Sequence, residues 1–177
     1  MKLHLGCGKK YLPGYTHIDV IDFDHIDYVS DISELSFIEN NTVEEIYACH
    51  VLEHFKRNQI HNVLKEWFRI LKNDGILRIS VPNFKAVVEQ YQETKDLNQL
   101  LGLLFGGQTY DYNYHHVIFD FEFLHDILTD VGFSEVKYYN WKDFLPENYD
   151  DYSKAYIPHM DFENGKLMSL NVEVKKC

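Results

Sequence analysis

Residues 3–8 are Leu3-His4-Leu5-Gly6-Cys7-Gly8, in which alternating apolar residues lead into a pair of glycines. This alternation predicts a short β-strand, and the glycines predict a tight turn at its end. Ligands of open α/β sheets bind beyond the carboxyl ends of the strands, where glycine lets the backbone approach them closely. Residues 6–8 are therefore a candidate ligand-binding turn, and an ordinary tight turn is the alternative.

The rest of the chain alternates between strand and helix patterns. Apolar residues at helical spacing predict a helix from Ile60 to Leu71, which Asn73-Asp74-Gly75 ends with Gly75 in the left-handed conformation. Two more helices are predicted, from residue 84 to about 101 and between Asp120 and Gly132. Strands are predicted at 16–20, 28–29, 43–49 and 76–81, and two more, each with one solvated face, at 136–138 and 170–174. This order indicates an α/β fold with a largely parallel sheet.

Composition and charge narrow the class of protein. The 177 residues predict one domain, 1–177, and the formal net charge of −11 disfavours a nucleic-acid partner, since no basic patch offsets it. Three scattered cysteines do not form a disulfide framework, and no apolar run is long enough to span a membrane. The N-terminus carries no secretory signal. We therefore expect a soluble, cytoplasmic protein without a membrane partner.

The spacing after the glycine turn argues against a dinucleotide site. Such a site would need a helix after the turn to hold the pyrophosphate, and a ribose-binding carboxylate about 20 residues further on. Here Tyr11 stands at the third glycine position, and Asp19 follows Gly8 by 11 residues. A ligand with a ribose but no phosphate fits better, with Asp19 accepting from the ribose hydroxyls. A loop carboxylate is the alternative for Asp19, and an N-cap is the alternative to an amine acceptor for Asp31.

Residues 50–54 spell His-x-x-Glu-His, which is also the signature of one class of zinc peptidase. Those enzymes need both histidines on a helix and a third ligand. Here His50 directly follows a predicted strand, so it is expected in the turn between strand and helix. The sequence therefore predicts no metal site, and a structural histidine is a further alternative.

Taken in order, these motifs resemble the class I S-adenosylmethionine-dependent methyltransferases, and most closely their small bacterial-type members. The resemblance is carried by Leu3–Gly8, Asp19, Asp31-Ile32, Ile46–His54, Leu71–Leu77 and Gly132-Phe133. It implies a Rossmann-like, doubly wound sheet of seven strands, mostly parallel with one antiparallel strand. It also implies S-adenosylmethionine as the cofactor, bound above the carboxyl ends of the strands.

The resemblance implies a role for each matching residue. Gly6, Cys7 and Gly8 would contact the methionine and ribose portion. Asp19, with Val20 beside it, would hold the ribose hydroxyls, and Asp31 and Ile32 would flank the adenine. The residues placed near the sulfonium and the methionine carboxylate are His50 and Leu52.

Three departures from the family pattern carry expectations of their own. His4 stands where the family usually has an acidic residue, and Lys10 replaces the usual third glycine. The first crossover helix is essentially absent, so one flank of the cofactor site should be covered by residues 142–166 or by a second subunit in a homodimer. We expect weaker cofactor binding than a complete first motif would give.

Two segments outside the motifs, 84–120 and 142–166, are expected to cap the site. The first contains His115 and His116, either of which is a candidate general base, with packing or surface roles as the alternative. The function implied is methyl transfer to an oxygen or nitrogen of a small molecule, such as a sugar or glycan precursor. The alternatives are a non-catalytic binding protein of the same fold and, less favoured, a nucleotide-binding oxidoreductase.

Overall fold

The computed structural model describes all residues, 1–177, and is built on one mixed sheet. Its seven strands are β1 Lys2–Leu5, β2 Thr16–Asp19, β3 Tyr28–Val29, β4 Val43–Cys49, β5 Leu71–Pro82, β6 Phe133–Tyr138 and β9 Ser169–Lys176. They lie in the order β3-β2-β1-β4-β5-β9-β6. The strand β9 runs antiparallel to both of its neighbours, and the other pairings are parallel. The predicted α/β, Rossmann-like sheet with one antiparallel strand is confirmed.

Two amphipathic helices cover one face of the sheet and enclose the main core. In α1, Ile60–Ile70, the buried residues include Val63, Leu64 and Trp67, at the predicted helical spacing. In α4, Phe121–Val131, the Asp120 side chain caps the first turn by accepting from the Phe123 N–H, and Gly132 ends the helix with φ 115°. These helices pack against each other and against the apolar side chains of β1, β4, β5 and β9. No helix of the chain is both long and apolar enough to cross a lipid bilayer.

The connection between β1 and β2 contains no helix, as predicted. The sheet face that such a helix would cover is instead packed by residues of the segment 142–166, which we call the C-terminal cap. Its side chains Phe144, Leu145 and Tyr149 form an aromatic cluster with Tyr47 of β4 and Tyr15. Of the two alternatives for this flank, the structure therefore shows coverage by the same chain.

Both cap segments contain regular structure. The segment 84–120, here the central cap, holds α2 (Phe84–Thr94), α3 (Leu101–Phe105) and a long loop. The predicted helix from residue 84 to 101 is thus interrupted after Thr94, since Lys95 adopts a left-handed conformation with φ 58°. The C-terminal cap includes the end of a short helix, α5 (Trp141–Phe144), and a hairpin of β7 (Tyr156–Ile157) and β8 (Lys166–Leu167).

Two local expectations were wrong. Asp74, not Gly75, is left-handed with φ 62°, and α1 ends at Ile70 because Leu71 is already extended. Gly75 is required for a different reason, since a Cβ there would lie 2.7 Å from the Lys72 carbonyl oxygen. The strand β9 lacks a solvated face, because it is inserted between β5 and β6 and its Glu173 forms an ion pair with Arg78.

Candidate active site

Two adjoining clefts open at the carboxyl ends of β1, β2 and β4. Their volumes are about 660 Å³ and 260 Å³. Five residues line both of them, namely Gly6, Gly8, His50, His54 and Tyr110. Molecules bound in the two clefts would therefore meet at the glycine turn and at the histidines that follow β4.

The glycine turn depends on backbone conformations that favour glycine. Gly6 and Gly8 have φ of 60° and 55°. A Cβ on Gly6 would lie 2.6 Å from a methyl carbon of Val51, so the turn packs directly against the end of β4. A Cβ on Gly8 would meet no protein atom within 4 Å, because this part of the turn faces the open clefts. A ligand can thus reach the backbone of Gly8 without hindrance.

Asp19 lies at the end of β2, on the wall of the smaller cleft. One carboxylate oxygen accepts from the Gly8 N–H at 2.8 Å, and the other accepts from the Ile21 N–H at 2.9 Å. These two hydrogen bonds fix the side chain in place, and Asp19 is buried, with 6% of its surface exposed. Each oxygen keeps further acceptor capacity, which suits a vicinal diol such as that of a ribose.

Val20, Asp31 and Ile32 also line the smaller cleft, at the edge where the adenine is expected. One oxygen of Asp31 accepts from both the N–H and the hydroxyl of Ser33, so the carboxylate stabilises its own turn. The other oxygen has no partner within the chain and can accept from a ligand amine. Apolar Ile32 is held in position because its carbonyl accepts from the Trp67 indole at 2.9 Å. Together with the glycine turn and Asp19, this donor and acceptor set fits an adenosine group.

Two polar side chains beside the glycine turn are held uncharged. Burial raises the pKa of the Cys7 thiol to about 12, so this side chain can contact a ligand but is not a thiolate nucleophile. His4 lies on the wall of the larger cleft, and burial lowers its pKa to about 3. At the position where the family usually has a carboxylate, this chain therefore carries a neutral imidazole.

A cluster of ionisable residues surrounds the point where the clefts meet. It consists of His50, which has φ 52°, with Glu53 and His54 from the 3-10 turn that follows and His115 from the central cap. Glu53 is fully buried, and burial raises its pKa to about 8. Burial also lowers the pKa of His50 to about 3 and that of His54 to about 4, and it holds the pKa of His115 below the usual value of 6.5. The histidines are therefore neutral at pH 7.

The structure brings most of the expected site residues together but leaves two outside. The side chain of Leu52 is fully buried in the main core and lines neither cleft, so the expected position of Leu52 near the sulfonium stays a prediction. The side chain of His116 is exposed and lines neither cleft, because its backbone N–H is held by the Glu53 carbonyl while the chain turns outward. Only His115 of the predicted pair lies at the site.

Two residues of the cluster, Glu53 and His54, were not among the expected site residues. The signal for them is the His-x-x-Glu-His pattern itself, whose last two positions form the cluster together with His115. His115 lies much further along the chain, so the sequence alone does not show that it belongs to the same cluster. In the structure the two segments are joined by the backbone, since the His116 N–H donates to the Glu53 carbonyl at 2.8 Å.

Both caps contribute to the wall of the larger cleft. The C-terminal cap provides three tyrosines, and the central cap provides amide side chains as well as His115. These residues are Tyr149, Tyr152, Tyr156, Gln99 and Asn113. Aromatic rings combined with a few polar groups are typical of small-molecule sites.

Comparison with known proteins agrees with this description. The family model for a methyltransferase domain matches residues 8–79, the part of the chain that contains Asp19, Asp31 and the turn after β4. No curated protein sequence matches the chain significantly.

Several solved structures share the fold at low sequence identity. An S-adenosylmethionine-dependent methyltransferase from Archaeoglobus fulgidus is 17% identical, with a TM-score of 0.58 over 99% of this chain and 85% of the other. A similar enzyme from Thermotoga maritima is 13% identical, with a TM-score of 0.59 over 99% and 81%. The 1,6-didemethyltoxoflavin N1-methyltransferase of Burkholderia thailandensis, solved with its acceptor and S-adenosylhomocysteine, is 13% identical, with a TM-score of 0.58 over 99% and 70%.

Proposed function

We propose that the chain is a class I S-adenosylmethionine-dependent methyltransferase. It would methylate a small-molecule acceptor, at an oxygen or a nitrogen, with a sugar or glycan precursor as the favoured class. The chain is an enzyme, and S-adenosylmethionine is its cofactor. The two alternatives, an oxidoreductase and a non-catalytic protein, are therefore not retained.

The observation that carries the proposal is the pairing of the two clefts. The smaller one has the size and lining for an adenosine, and the larger one begins at the same glycine turn and at His50. At about 660 Å³ the larger cleft has the volume of a typical small-molecule site. Tyrosine rings and amide side chains on its walls suit the apolar faces and the hydroxyls of a sugar.

The chain's own residues bind and orient both molecules. When bound, the cofactor supplies an activated methyl group on a sulfonium. Asp19 would accept from its ribose hydroxyls, the backbone of residues 6–8 would lie against its methionine portion, and Ile32 would pack against its adenine. The caps exclude water from the larger cleft and hold the acceptor in line with the methyl group, which lowers the entropy cost of reaction.

A hydroxyl or amine acceptor also has to lose a proton. We place its release at the cluster of Glu53, His54 and His115, since His54 and His115 line the larger cleft. His115 is neutral at pH 7 because burial lowers its pKa. It therefore has a lone pair available at the side of the cleft, as the general-base hypothesis requires.

The proposal is tested in two stages. The purified protein is first titrated by calorimetry with S-adenosylmethionine and S-adenosylhomocysteine, with NAD as the control ligand. We expect binding of the first two at micromolar strength and none of NAD. A panel of sugars, sugar nucleotides, amines and phenols is then screened with radiolabelled cofactor. Transfer to sugars supports the favoured acceptor class. Transfer only to amines or phenols contradicts that class but supports methylation of a small molecule, and transfer only to a macromolecule contradicts the proposal.

A further inference from the structure

The strongest unassigned feature is the convergence of three potential metal ligands. Glu53 and His54 belong to the turn after β4, and His115 belongs to the central cap. One ligand atom from each side chain lies within 4.8 Å of the other two. The His116 N–H donates to the Glu53 carbonyl at 2.8 Å and His54 Nδ1 lies 3.1 Å from the Tyr114 carbonyl, so the central cap is held against this turn and the convergence is built into the fold.

Both imidazoles are oriented as metal ligands are. The Nδ1 atom of His54 donates to the Tyr114 carbonyl at 3.1 Å, and that of His115 donates to the Leu103 carbonyl at 2.9 Å. A carbonyl oxygen only accepts, so Nδ1 carries the proton in each ring and Nε2 carries a lone pair. Metal-binding histidines characteristically donate their second N–H to a carbonyl or carboxylate in this way.

Glu53 has no hydrogen-bond donor in the chain. Both carboxylate oxygens are buried and without a partner. The nearest imidazole atoms are His50 Nδ1 at 3.3 Å and His115 Nε2 at 3.9 Å from the same oxygen. The Ser169 hydroxyl donates its proton to the Tyr152 carbonyl. The Ser169 Oγ atom therefore accepts from His50 Nε2, which lies 2.8 Å away. His50 Nδ1 therefore also presents a lone pair.

When Glu53 is ionised, acceptor atoms face one another around it, and no positive side chain lies among them. Burial therefore favours its protonated form, and a cation shared with the imidazoles would stabilise the carboxylate in place of that proton. A bound ion with ligands at about 2.1 Å has tetrahedral ligand atoms about 3.4 Å apart. An ion bound here would draw the three ligand atoms, which now lie up to 4.8 Å apart, toward this spacing.

We propose that Glu53, His54 and His115 bind one divalent transition-metal ion, such as Zn²⁺, beside the larger cleft. Two imidazoles and one carboxylate favour an ion of this class over Mg²⁺ or Ca²⁺, which prefer oxygen ligands. Because His54 and His115 line the cleft, the remaining coordination position faces the acceptor. The ion would hold an acceptor hydroxyl oxygen there and promote loss of its proton to water, in place of the His115 lone pair that the ion would occupy. This last step rests on the proposed function.

Metal binding is tested directly on the full chain. Protein treated with a chelator and then dialysed is titrated with Zn²⁺ by calorimetry and with Co²⁺ by visible absorption. Mg²⁺ serves as the comparison ion. We expect one tightly bound Zn²⁺ per chain, a Co²⁺ spectrum typical of nitrogen and oxygen ligands, and much weaker Mg²⁺ binding. No bound transition metal, or preferred binding of Mg²⁺, overturns the proposal.

Substitutions of the proposed ligands test where the ion is bound. Glu53→Gln and His115→Ala should each weaken Zn²⁺ binding by about tenfold or more. His61→Ala removes an exposed imidazole of α1, and Cys177→Ser removes an exposed thiol, and both should bind Zn²⁺ as the unchanged protein does. Equal binding by all four variants shows that the ion is held on the surface and contradicts the site. Circular dichroism confirms folding, and His54→Ala replaces any variant that does not fold.

The same samples separate this proposal from the proposed function. S-adenosylhomocysteine binding is measured with and without Zn²⁺, and we expect cofactor affinity to persist in Glu53→Gln. Zn²⁺ bound at this cluster in a protein that binds no cofactor would support the metal site and contradict the function. Cofactor binding by a protein that binds no Zn²⁺ at this cluster would support the function and contradict the metal site.

Discussion

The hydroxyl of Tyr47 donates a 2.6 Å hydrogen bond to a carboxylate oxygen of Asp151, 104 residues further along the chain, and both side chains are buried. The other Asp151 oxygen accepts from the N–H and the hydroxyl of Ser153. Ser153 in turn accepts from the Asn171 amide through its carbonyl at 2.8 Å. The C-terminal cap is therefore fastened by polar contacts to the central strand β4 and to β9.

Tyr47→Phe tests this attachment. The substitution keeps the ring in the aromatic cluster but leaves one oxygen of buried Asp151 without its donor. We expect the free energy of unfolding to fall by about 1–3 kcal/mol. Chemical denaturation measures the change, with Tyr91→Phe on the exposed surface of α2 as the control. Equal stability of the two variants would show that the hydrogen bond contributes nothing.

Asp19→Ala tests the ribose contact. Removing the carboxylate eliminates acceptors for two hydroxyl groups, so S-adenosylhomocysteine should bind more weakly by about 1.5–3 kcal/mol. Calorimetry measures the affinity. The matched control is Asp22→Ala, an exposed carboxylate of the same loop that lines neither cleft. Affinity unchanged in a folded Asp19→Ala protein would remove Asp19 from the cofactor site.

Gly8→Ala and Gly14→Ala form a matched pair. Both glycines have positive φ, 55° and 85°, and neither has a protein atom within 4 Å of an added Cβ. Both substitutions should therefore lower stability by about 1–2 kcal/mol through backbone strain. Only Gly8 lines the clefts, so only Gly8→Ala should weaken S-adenosylhomocysteine binding. Comparable affinities for the two variants would show that the glycine turn does not contact the ligand.

His4 predicts a pH dependence of stability. Its pKa is lowered from 6.5 to about 3 by burial, so between these values the unfolded chain takes up a proton that the folded chain does not. Stability is therefore lost as pH falls below about 6.5. On these pKa values, His4 alone accounts for a loss of about 1 kcal/mol between pH 7 and pH 5.5.

The variant His4→Phe tests whether His4 causes this pH dependence of stability. It keeps a ring beside Tyr47 and His17 but removes the group that titrates. Urea denaturation at the two pH values should show a smaller loss in this variant, by about 1 kcal/mol. The control, His61→Ala, should lose as much stability as the unchanged protein. A His4→Phe variant with undiminished pH dependence would show that His4 is not the group responsible.

Local patterns were sufficient to predict most of the sheet and helices. The apolar spacing in α1 and the Asp120 and Gly132 caps of α4 are interactions between near neighbours, and the structure contains them where expected. The position of β9 inside the sheet depends on its pairing with the distant strand β5. Its alternating sequence therefore suggested a solvated face, although Glu173 is buried against Arg78.

The same limit applies to the candidate site. Gly6 and Gly8 follow β1 and Asp19 ends the next strand, β2, so their spacing predicts their proximity. His115 meets Glu53 only because the loop of the central cap folds back on the turn after β4, and nothing near either residue in the sequence encodes that contact. The side chains of Leu52 and His116 lie outside the clefts, although each residue stands next to one that does face the site.

The C-terminal cap both packs the sheet and forms a wall of the larger cleft. Tyr149 belongs to the aromatic cluster and also lines the cleft, and Asp151 fixes β4 and lines the same cavity. A substitution that alters acceptor choice in this segment will therefore also change the yield of folded protein. Evolution toward new acceptors, in nature or in the laboratory, should consequently proceed through compensating pairs of changes here, and through single changes more readily in the loop of the central cap.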